Sequence, residues 1–313
     1  MTEPWQRLPA LSLKQLQYFV TLAQLRHFTD TASKLAISQP ALSSALRQIE
    51  TVLGGKLVNR TAAAVTLTEL GVAILPHAER VLNVAQQAFS DMRQIVESGG
   101  DGTLRIGLVP SVSSLLFPTV AERLAQAFPR LKVEFHDLTN DALVTQIVNG
   151  QLDFGIGALD SSVSPALQVF PVLEDPFVAV LHTADPLAQS AHLPWQQLAG
   201  RDVAVFSKGN VQRLVGALDE SQRLKLHIRY HVDYIETLYG LVRSRLAAAI
   251  LPQLYTAHLC DPQLKVVQLQ QPELTRTVAL MRNAAPLPPQ VEQAFTLLQR
   301  AVRHECISFA HQV

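Results

Sequence analysis

The chain has 313 residues, 48% of them hydrophobic and 17% charged, which is typical of a globular protein long enough for two or three domains. No apolar run approaches the ~18–20 residues of a membrane span, and no signal-peptide pattern opens the sequence, so we expect a cytoplasmic protein with no membrane partner. The net charge is zero, but residues 1–67 carry seven Lys and Arg against three Asp and Glu, which favours a polyanionic partner for this segment alone.

Three short helices are predicted at the start of the chain. The first carries an apolar stripe at helical spacing, formed by Leu16, Phe19, Val20 and Ala23. Thr29 is the candidate N-cap of a second helix that runs to Ala36. Ser38 caps a third, with Pro40 in its first turn, where a missing N–H does no harm. Because only about two residues separate the second helix from the third, the pattern predicts a helix-turn-helix.

The third helix has two contrasting faces. Leu42, Leu46 and Ile49 recur at helical spacing and predict a buried face. The opposite face carries short polar groups and one cation, namely Gln39, Pro40, Ser43, Ser44 and Arg47. Such side chains let a helix approach DNA closely and offer donors and acceptors to bases and phosphates, so we predict DNA-binding residues here, with Ser38 and Arg60 as further candidates. The alternative is a solvated surface helix of some other small bundle.

A winged helix and a long helix follow. Two short strands, Lys56–Arg60 and Val65–Leu67, are predicted as the wing, and Thr68 caps a helix that runs to Ser98. The apolar residues of that helix recur at alternating intervals of four and three positions, at Ile74, Ala78, Val81, Ala85, Ala88, Met92 and Ile95. This spacing predicts pairing with a second copy of the helix, hence a homodimer. The alternative is an ordinary amphipathic helix packed within its own chain.

The segments LKQLQYFVTLAQLRHFTDTASKLAISQPALSSALRQIETVLGGKLVNR and LTELGVAILPHAERVL resemble the head and linker helix of LysR-type transcriptional regulators. The resemblance implies that Gln39, Pro40, Ser43 and Arg47 lie at double-stranded DNA. It also implies an antiparallel linker-helix dimer, often assembled into a homotetramer. Two departures stand out, since Ser44 occupies a position where the family often has Arg, and Ala62, Ala63 and Ala64 replace the basic residues of the usual wing. Fewer phosphate contacts than usual are therefore expected.

Beyond the hinge-like linker Ser98–Gly102, strands and helices alternate, which indicates βαβ units in an overall α/β protein. Two α/β lobes joined by crossing strands would place a cleft at the carboxyl ends of strands. By resemblance this is an effector domain built like a periplasmic binding protein. The predicted domains are a winged helix-turn-helix at 1–67, a linker helix at 68–98, and an effector domain at 103–313, with lobe 1 at 103–165 and 269–304 and lobe 2 at 166–268.

Polar residues at the strand-to-helix corners are the candidate effector-binding residues, namely Ser111, Ser113, Thr139, Asn140, Ser207, Lys208 and Tyr234. Helix N-termini attract anions and Lys208 adds a cation, so we expect a small organic anion as the effector. By resemblance, Ser111 and Ser113 match the effector-contact segment of the family best. The alternatives are plain N-capping by a serine and a solvated Lys208.

The sequence gives no support to a catalytic function. It has no G-x-S-x-G, Walker loop, H-E-x-x-H or C-x-x-C, and its ten histidines show no metal-ligand spacing. We therefore predict no catalytic residue, no metal and no cofactor. Cys260 and Cys306 are too few for a disulfide framework and are predicted to be plain free thiols rather than a redox pair.

The function predicted from these features is a DNA-binding transcriptional regulator controlled by a small-molecule effector. It would bind an interrupted palindromic operator as a dimer or tetramer, and a contact with RNA polymerase is left open. Two rival hypotheses come from other classes: a solute-binding protein that serves a transporter, and an enzyme with an appended DNA-binding module.

Overall fold

The computed structural model describes residues 10–60, 65–98, 102–159, 164–207 and 209–312. Lys208 and Ala62–Ala64 therefore lie outside the described residues, as do the side chains of Arg60, Ile95 and Cys306. The chain forms two compact units, one made of residues 1–100 and 149–151 and the other of residues 101–148 and 152–313. Among the helices in the described ranges, none combines the length and the apolar character needed to cross a membrane.

The first unit contains the helices α1 (Leu13–Leu25), α2 (Phe28–Lys34), α3 (Gln39–Leu53) and α4 (Glu69–Ser98), with the two-stranded antiparallel sheet β1 (Val58–Arg60) and β2 (Val65–Leu67) between α3 and α4. Short polar residues set the helix starts. Ser38 Oγ accepts a hydrogen bond from the Ala41 N–H at the start of α3, and Thr68 Oγ1 accepts one from the Gly71 N–H at the start of α4. The expected N-cap Thr29 is wrong, because α2 begins at Phe28 and the His27 ring accepts the Asp30 N–H. The expected first strand is also two residues too long.

The core of the first unit joins α1, α3, the two wing strands and the beginning of α4. Phe19, Leu46 and Ile49 are almost completely buried there, together with Val58 and Ala78. The apolar stripe predicted for the third helix is confirmed, since Leu42 and Ile49 are both 0% exposed. This packing presents the other face of α3 to solvent.

The second unit alternates strands and helices. In chain order it contains β3 (Thr103–Leu108), α5 (Pro110–Ala127), β4 (Lys132–Asp137), α6 (Asn140–Val148), β5 (Phe154–Ala158), β6 (Leu167–His182), β7 (His192–Pro194), β8 (Asp202–Phe206), α7 (Asn210–Gln222), β9 (His227–Val232), α8 (Ile235–Arg243), β10 (Ala248–Pro252), β11 (Leu264–Gln270), β12 (Thr275–Asn283) and α9 (Pro289–Gln312), with short 3-10 turns at Pro186–Gln189, Trp195–Leu198 and Gln253–Thr256. The helix α5 begins at Pro110, because proline is well suited to the first helical turn.

The strands follow the order β4-β3-β5-β12-β6-β10-β8-β9, and β11 and β7 pair beside β6. The long strand β6 belongs to both halves of this arrangement. Its residues Leu167–Pro176 pair with β12, whereas Phe177–Val180 pair with β10. Each half has its own hydrophobic core, one on the β3, β4 and β5 side and the other on the β8 and β10 side. We call these halves the first and second lobe, and the domain boundaries given above stay predictions.

Candidate functional site

The solvent face of α3 is polar over most of its length. Gln39, Pro40, Ser44 and Arg47 are exposed and Ser43 is half-buried, while the opposite side of the helix packs into the core. All five residues proposed from the sequence as the open face therefore share one side of α3. The side chain of Arg60, the candidate on the wing, lies outside the description.

Two side chains on this surface are held in place by neighbours. Arg47 Nε donates to the Ser43 carbonyl oxygen, one turn earlier in the same helix, at 3.3 Å. Gln48 Oε1 accepts a 2.6 Å hydrogen bond from Gln15 Nε2 on α1. The sequence reasoning missed Gln15 and Gln48, although Gln48 directly follows Arg47. Amide groups fixed in this way are suited to hydrogen bonds with base edges or phosphates.

The seven residues of α4 that were predicted to pair with a second copy of the helix are called the seam, and they divide into two parts. Its first two members do not face a partner chain, because Ala78 is 3% exposed and Ile74 packs beside it in the core of the first unit. The expectation that Ile74 and Ala78 belong to the dimer seam is therefore wrong, and for them the alternative of packing within the chain holds. Beyond them the helix exposes large apolar side chains, namely Val81, Val84, Phe89, Met92 and Val96, at 44–83%.

Of the remaining seam positions, Ala85 is half-buried, Ala88 is exposed, and the Ile95 side chain is outside the description. Three of these exposed residues, Val84, Phe89 and Val96, were not in the predicted seam, although they lie next to its members. The exposed apolar surface of α4 is therefore wider than a single 3.5-residue stripe.

A cavity of about 640 Å³ opens between the two lobes of the second unit. Both lobes contribute to it, and the lining residues are Val109, Pro110, Asp137, Leu138, Thr139, Asn140, Ala158, Phe206, Gly209, Val211, Val232, Asp233, Tyr234, Ile235, Glu236, Tyr255 and Arg276. Three of the predicted effector residues, Thr139, Asn140 and Tyr234, are among them. Ser111, Ser113 and Ser207 lie behind this lining and contact residues of it.

Ser111 belongs to a buried network at the point where β6 crosses between the lobes. Arg276 Nη2 donates to Ser111 Oγ at 2.7 Å, and Arg276 Nε and Nη2 donate to Asp175 Oδ2 at 3.0 and 2.8 Å. The Leu254 N–H donates to the other oxygen of Asp175 at 3.0 Å. Burial raises the pKa of Asp175, while the guanidinium of Arg276 opposes that rise. Arg276 thus lines the cavity with its charge already paired.

Ser113 and Ser207 each donate to a carboxylate that lines the cavity. Ser113 Oγ donates to Asp137 Oδ1 at 2.8 Å in the first lobe, and Ser207 Oγ donates to Asp233 Oδ1 in the second. Since a hydroxyl has one proton, neither serine can also donate to an anion in this arrangement. The sequence reasoning missed both aspartates, although each stands at the end of the strand next to a serine corner.

The backbone N–H groups expected to bind an anion at the start of α5 are largely used within the protein. Pro110 has none, the Val109 N–H donates to the Ile156 carbonyl, and the Val112 and Ser113 N–H groups both donate to the Val109 carbonyl. The Ser207 N–H likewise donates to the Val232 carbonyl. These four N–H groups, of Val109, Val112, Ser113 and Ser207, are therefore engaged within the protein rather than free to bind an anion. Lys208, the predicted cation, is outside the description.

Asn140 is the one predicted cavity residue that is buried, at 6% exposure. Neither its Nδ2 nor its Oδ1 has a hydrogen-bond partner among the described residues. The side chain does not cap α6, because Thr139 Oγ1 accepts the Ala142 N–H in that role at 3.4 Å. Gly157 makes room for the amide, since a Cβ there would lie 2.8 Å from Asn140 Oδ1.

A second cavity of about 620 Å³ shares Pro110, Ile235, Glu236 and Tyr255 with the first, and exposed Cys260 lines it. In it, Arg243 Nε donates to Asp261 Oδ2 at 2.5 Å and holds the pKa of that carboxyl below its usual value. Burial raises the pKa of Tyr239, which also lines this cavity, to about 12. In the part of the chain that the structure describes, no group of three or more His, Cys, Asp or Glu residues could hold a metal ion.

Two family models match most of the chain. Residues 13–72 match the bacterial regulatory helix-turn-helix proteins of the lysR family, and residues 97–303 match the LysR substrate binding domain. The chain is similar to the DNA-binding transcriptional dual regulator OxyR of Escherichia coli strain K12, with 29% identity over 90% of this chain and 93% of that protein. It is also similar to the hydrogen peroxide-inducible genes activator of Haemophilus influenzae, with 27% identity over 94% of this chain and 98% of that protein.

Among solved structures, a full-length OxyR variant from Pseudomonas aeruginosa matches with a TM-score of 0.60 and 26% identity, over 94% of this chain and 98% of that chain. A winged helix-turn-helix with an open polar face, followed by a two-lobed α/β domain with a cavity, defines a ligand-responsive DNA-binding transcriptional regulator rather than an enzyme. The chain belongs to the LysR family of such regulators.

Proposed function

We propose that α3 reads the major groove of DNA through Gln39, Pro40, Ser43, Ser44 and Arg47, with Ser38 at its N-terminus and Arg60 on the wing. The observation that carries this assignment is the pairing of a fully buried apolar face with an exposed polar face on one helix. The buried face fixes the orientation of α3, and the exposed side chains are short enough for close approach to base edges. Gln48, held by Gln15, extends the same surface.

The exposed apolar residues of α4 are the surface through which two copies of the chain pair. Val81, Ala85, Ala88, Met92 and Ile95 remain in this seam, and Phe89 joins them. An exposed row of this size is unusual on a helix that has no partner. Pairing would supply two reading helices for an interrupted palindromic operator in the cytoplasm, and the pairs could assemble further into tetramers. Whether the assembly also contacts RNA polymerase remains a separate hypothesis.

The inter-lobe cavity is the proposed effector site. Thr139, Asn140 and Tyr234 would contact the ligand directly, while Ser111, Ser113 and Ser207 would position Arg276, Asp137 and Asp233 around it. Lys208 stays a candidate effector-binding residue from the sequence alone. A ligand that touches both lobes can change their arrangement only if it binds one arrangement more tightly than another.

The peroxide response in the names of the relatives does not carry over to this cavity. Peroxide acts on proteins chiefly through cysteine thiolates. Of the two cysteines, Cys260 lines the second cavity and not the inter-lobe cavity, and the side chain of Cys306 lies outside the described residues. We therefore expect hydrogen peroxide to leave the operator affinity of the reduced protein unchanged, and a Cys260→Ser variant to behave as the wild type. A peroxide response that Cys260→Ser abolishes would assign the signal to the second cavity instead.

The test of the DNA-binding assignment is fluorescence anisotropy on a duplex selected from a random pool with the full chain. Arg47→Ala should weaken binding by about 1–3 kcal/mol if the guanidinium binds a base edge. If it binds only a phosphate, affinity should fall for all sequences and the slope against log salt should shrink by about one.

The control is Arg123→Ala, which removes an equal charge from an exposed position on α5. It should leave both the affinity and the salt slope unchanged. Unchanged binding by Arg47→Ala at every salt concentration would remove Arg47 from the interface.

A further inference from the structure

We propose, on the basis of the effector function proposed above, that the ligand of the inter-lobe cavity is a small organic cation with N–H donors, such as a primary ammonium attached to an apolar body. The ammonium would lie between Asp137 and Asp233, and Asn140 would bind a neighbouring polar group. This ligand class replaces the organic anion expected from the sequence.

The two lobes present the same polar arrangement to the cavity. In each, a serine follows one strand of a parallel pair, and an aspartate stands at the end of the neighbouring strand. Ser113 donates to Asp137 and Ser207 donates to Asp233, so both hydroxyls orient a carboxylate and contribute an acceptor themselves. Four acceptor groups from two lobes match the three N–H donors of an ammonium.

Asn140 is an independent indication that a ligand binds here. It lines the same cavity, its side chain is more than nine-tenths buried, and both of its amide atoms lack a partner among the described residues. A buried polar group without a hydrogen bond is unfavourable for folding. A ligand that both donates and accepts would satisfy this amide, since its Oδ1 accepts and its Nδ2 donates.

The charges on the described lining favour a cation. Asp137, Asp233 and Glu236 contribute three carboxylates, whereas Arg276 is the single cationic side chain in that lining and is paired with Asp175. A cleft lined by one sign of charge raises the local concentration of the opposite ion. An organic anion would instead meet three like charges, with its potential serine donors already engaged.

The rest of the lining selects the body of the ligand. Leu138, Phe206, Val211, Val232 and Tyr255 form apolar walls in a cavity of about 640 Å³. Apolar walls with a few fixed polar groups are typical of a site for a small organic molecule. An alkyl or aryl amine meets this description better than an inorganic cation, which has no apolar surface to bury.

Titration calorimetry on the full chain with matched probes tests the ligand class. The probes are 2-phenylethylammonium with 3-phenylpropanoate and 2-phenylethanol, and isopentylammonium with 4-methylpentanoate and isopentanol. We expect at least one ammonium probe to bind roughly tenfold or more tightly than its carboxylate and alcohol counterparts, in line with charge-assisted hydrogen bonds.

The variants Asp137→Asn and Asp233→Asn keep an acceptor for Ser113 and Ser207 but remove a charge, and each should weaken ammonium binding roughly tenfold. The matched control is Glu122→Gln, an exposed carboxylate on α5 outside the cavity, which should bind like the wild type. Tighter binding of a carboxylate probe, or no ammonium binding at all, overturns the ligand class. Equal ammonium affinity in the aspartate variants overturns the site.

These outcomes are separable from a failure of the proposed function. Operator affinity is measured by anisotropy on the same samples, with and without the bound probe. If an ammonium probe binds as expected but operator affinity does not change at saturation, the ligand class stands and control of DNA binding through this cavity is refuted. If a carboxylate probe changes operator affinity, the effector function stands and the cationic class is refuted.

Discussion

The buried Arg276–Asp175 pair should be the most sensitive point of the effector domain. The Arg276 side chain is 4% exposed and that of Asp175 is 0% exposed, and two guanidinium nitrogens donate to one carboxylate oxygen at 2.8 and 3.0 Å. Arg276→Met keeps the volume and removes the charge. Asp175 then retains the Leu254 N–H as a donor, while Ser111 loses the guanidinium. Breaking a buried pair in this way typically lowers the free energy of unfolding by about 3–5 kcal/mol.

Urea denaturation followed by circular dichroism measures this loss. With a slope of about 2–3 kcal/mol per molar urea for a domain of this size, the midpoint should fall by about 1–2.5 M. The double variant Arg276→Met/Asp175→Leu removes both charges and should recover most of the stability. The control Arg123→Met changes an exposed arginine and should leave the midpoint unchanged.

The loss should also depend on pH in a defined direction. Burial already raises the pKa of Asp175 above its unfolded value, and removing Arg276 removes the principal opposing cause. In Arg276→Met the folded state therefore binds the proton more readily than the unfolded state. The deficit against the wild type is then largest above the raised pKa and shrinks as pH falls through it. A deficit that stays constant down to the acid limit, or a double variant as unstable as the single one, would show that the unpaired charge of Asp175 is not the cause of the instability.

Three further predictions concern other parts of the chain. Ile49→Ala truncates a fully buried side chain of α3 and should lower the free energy of unfolding by about 2–5 kcal/mol in thermal or urea melts, whereas exposed Val52→Ala on the same helix should have little effect. Val81→Glu should weaken self-association in analytical ultracentrifugation by placing a charge in the apolar surface of α4, while Gln86→Glu, at another exposed position, should assemble as the wild type; equal assembly of both would exclude this surface. Asn140→Leu should raise the unfolding midpoint while weakening binding of the ammonium probes, because it removes an unsatisfied buried amide, and a loss of stability would contradict the absence of a partner.

The sequence predicts the buried and exposed faces of a helix well when these depend on the residues of that helix alone. The spacing of Leu42, Leu46 and Ile49 predicts which face of α3 is buried, and that face alone decides which side chains remain for DNA. The same kind of pattern misassigned Ile74 and Ala78 on α4. The spacing of apolar residues indicates that a helix face is apolar. It does not indicate whether the surface that covers this face belongs to the same chain or to another copy.

The chemistry of the inter-lobe cavity depended on contacts that a single sequence does not reveal. Thr139, Asn140 and Tyr234 were found because polar residues at strand ends gather at one edge of a sheet. Whether the serine corners donate or accept is decided by Asp137 and Asp233 on neighbouring strands, and their pairing follows from strand order.

The pair formed by Arg276 and Asp175 joins residues 101 positions apart. Each looks like an ordinary strand residue in the sequence. Only the register between β6 and β12 brings them together, and that register depends on the complete fold.

In the proposed complex, two copies of the chain present paired α3 helices to the major groove of one DNA site. Dimethyl sulfate protection of guanine N7 on the selected duplex measures this arrangement, because N7 is accessible from the major groove. We expect two protected patches whose centres lie about 34 Å, or a multiple of that distance, apart on one face of the DNA, and the Val81→Glu variant should lose both patches together. A single protected patch in the wild type, or full binding without any N7 protection, would rule out paired α3 helices in the major groove.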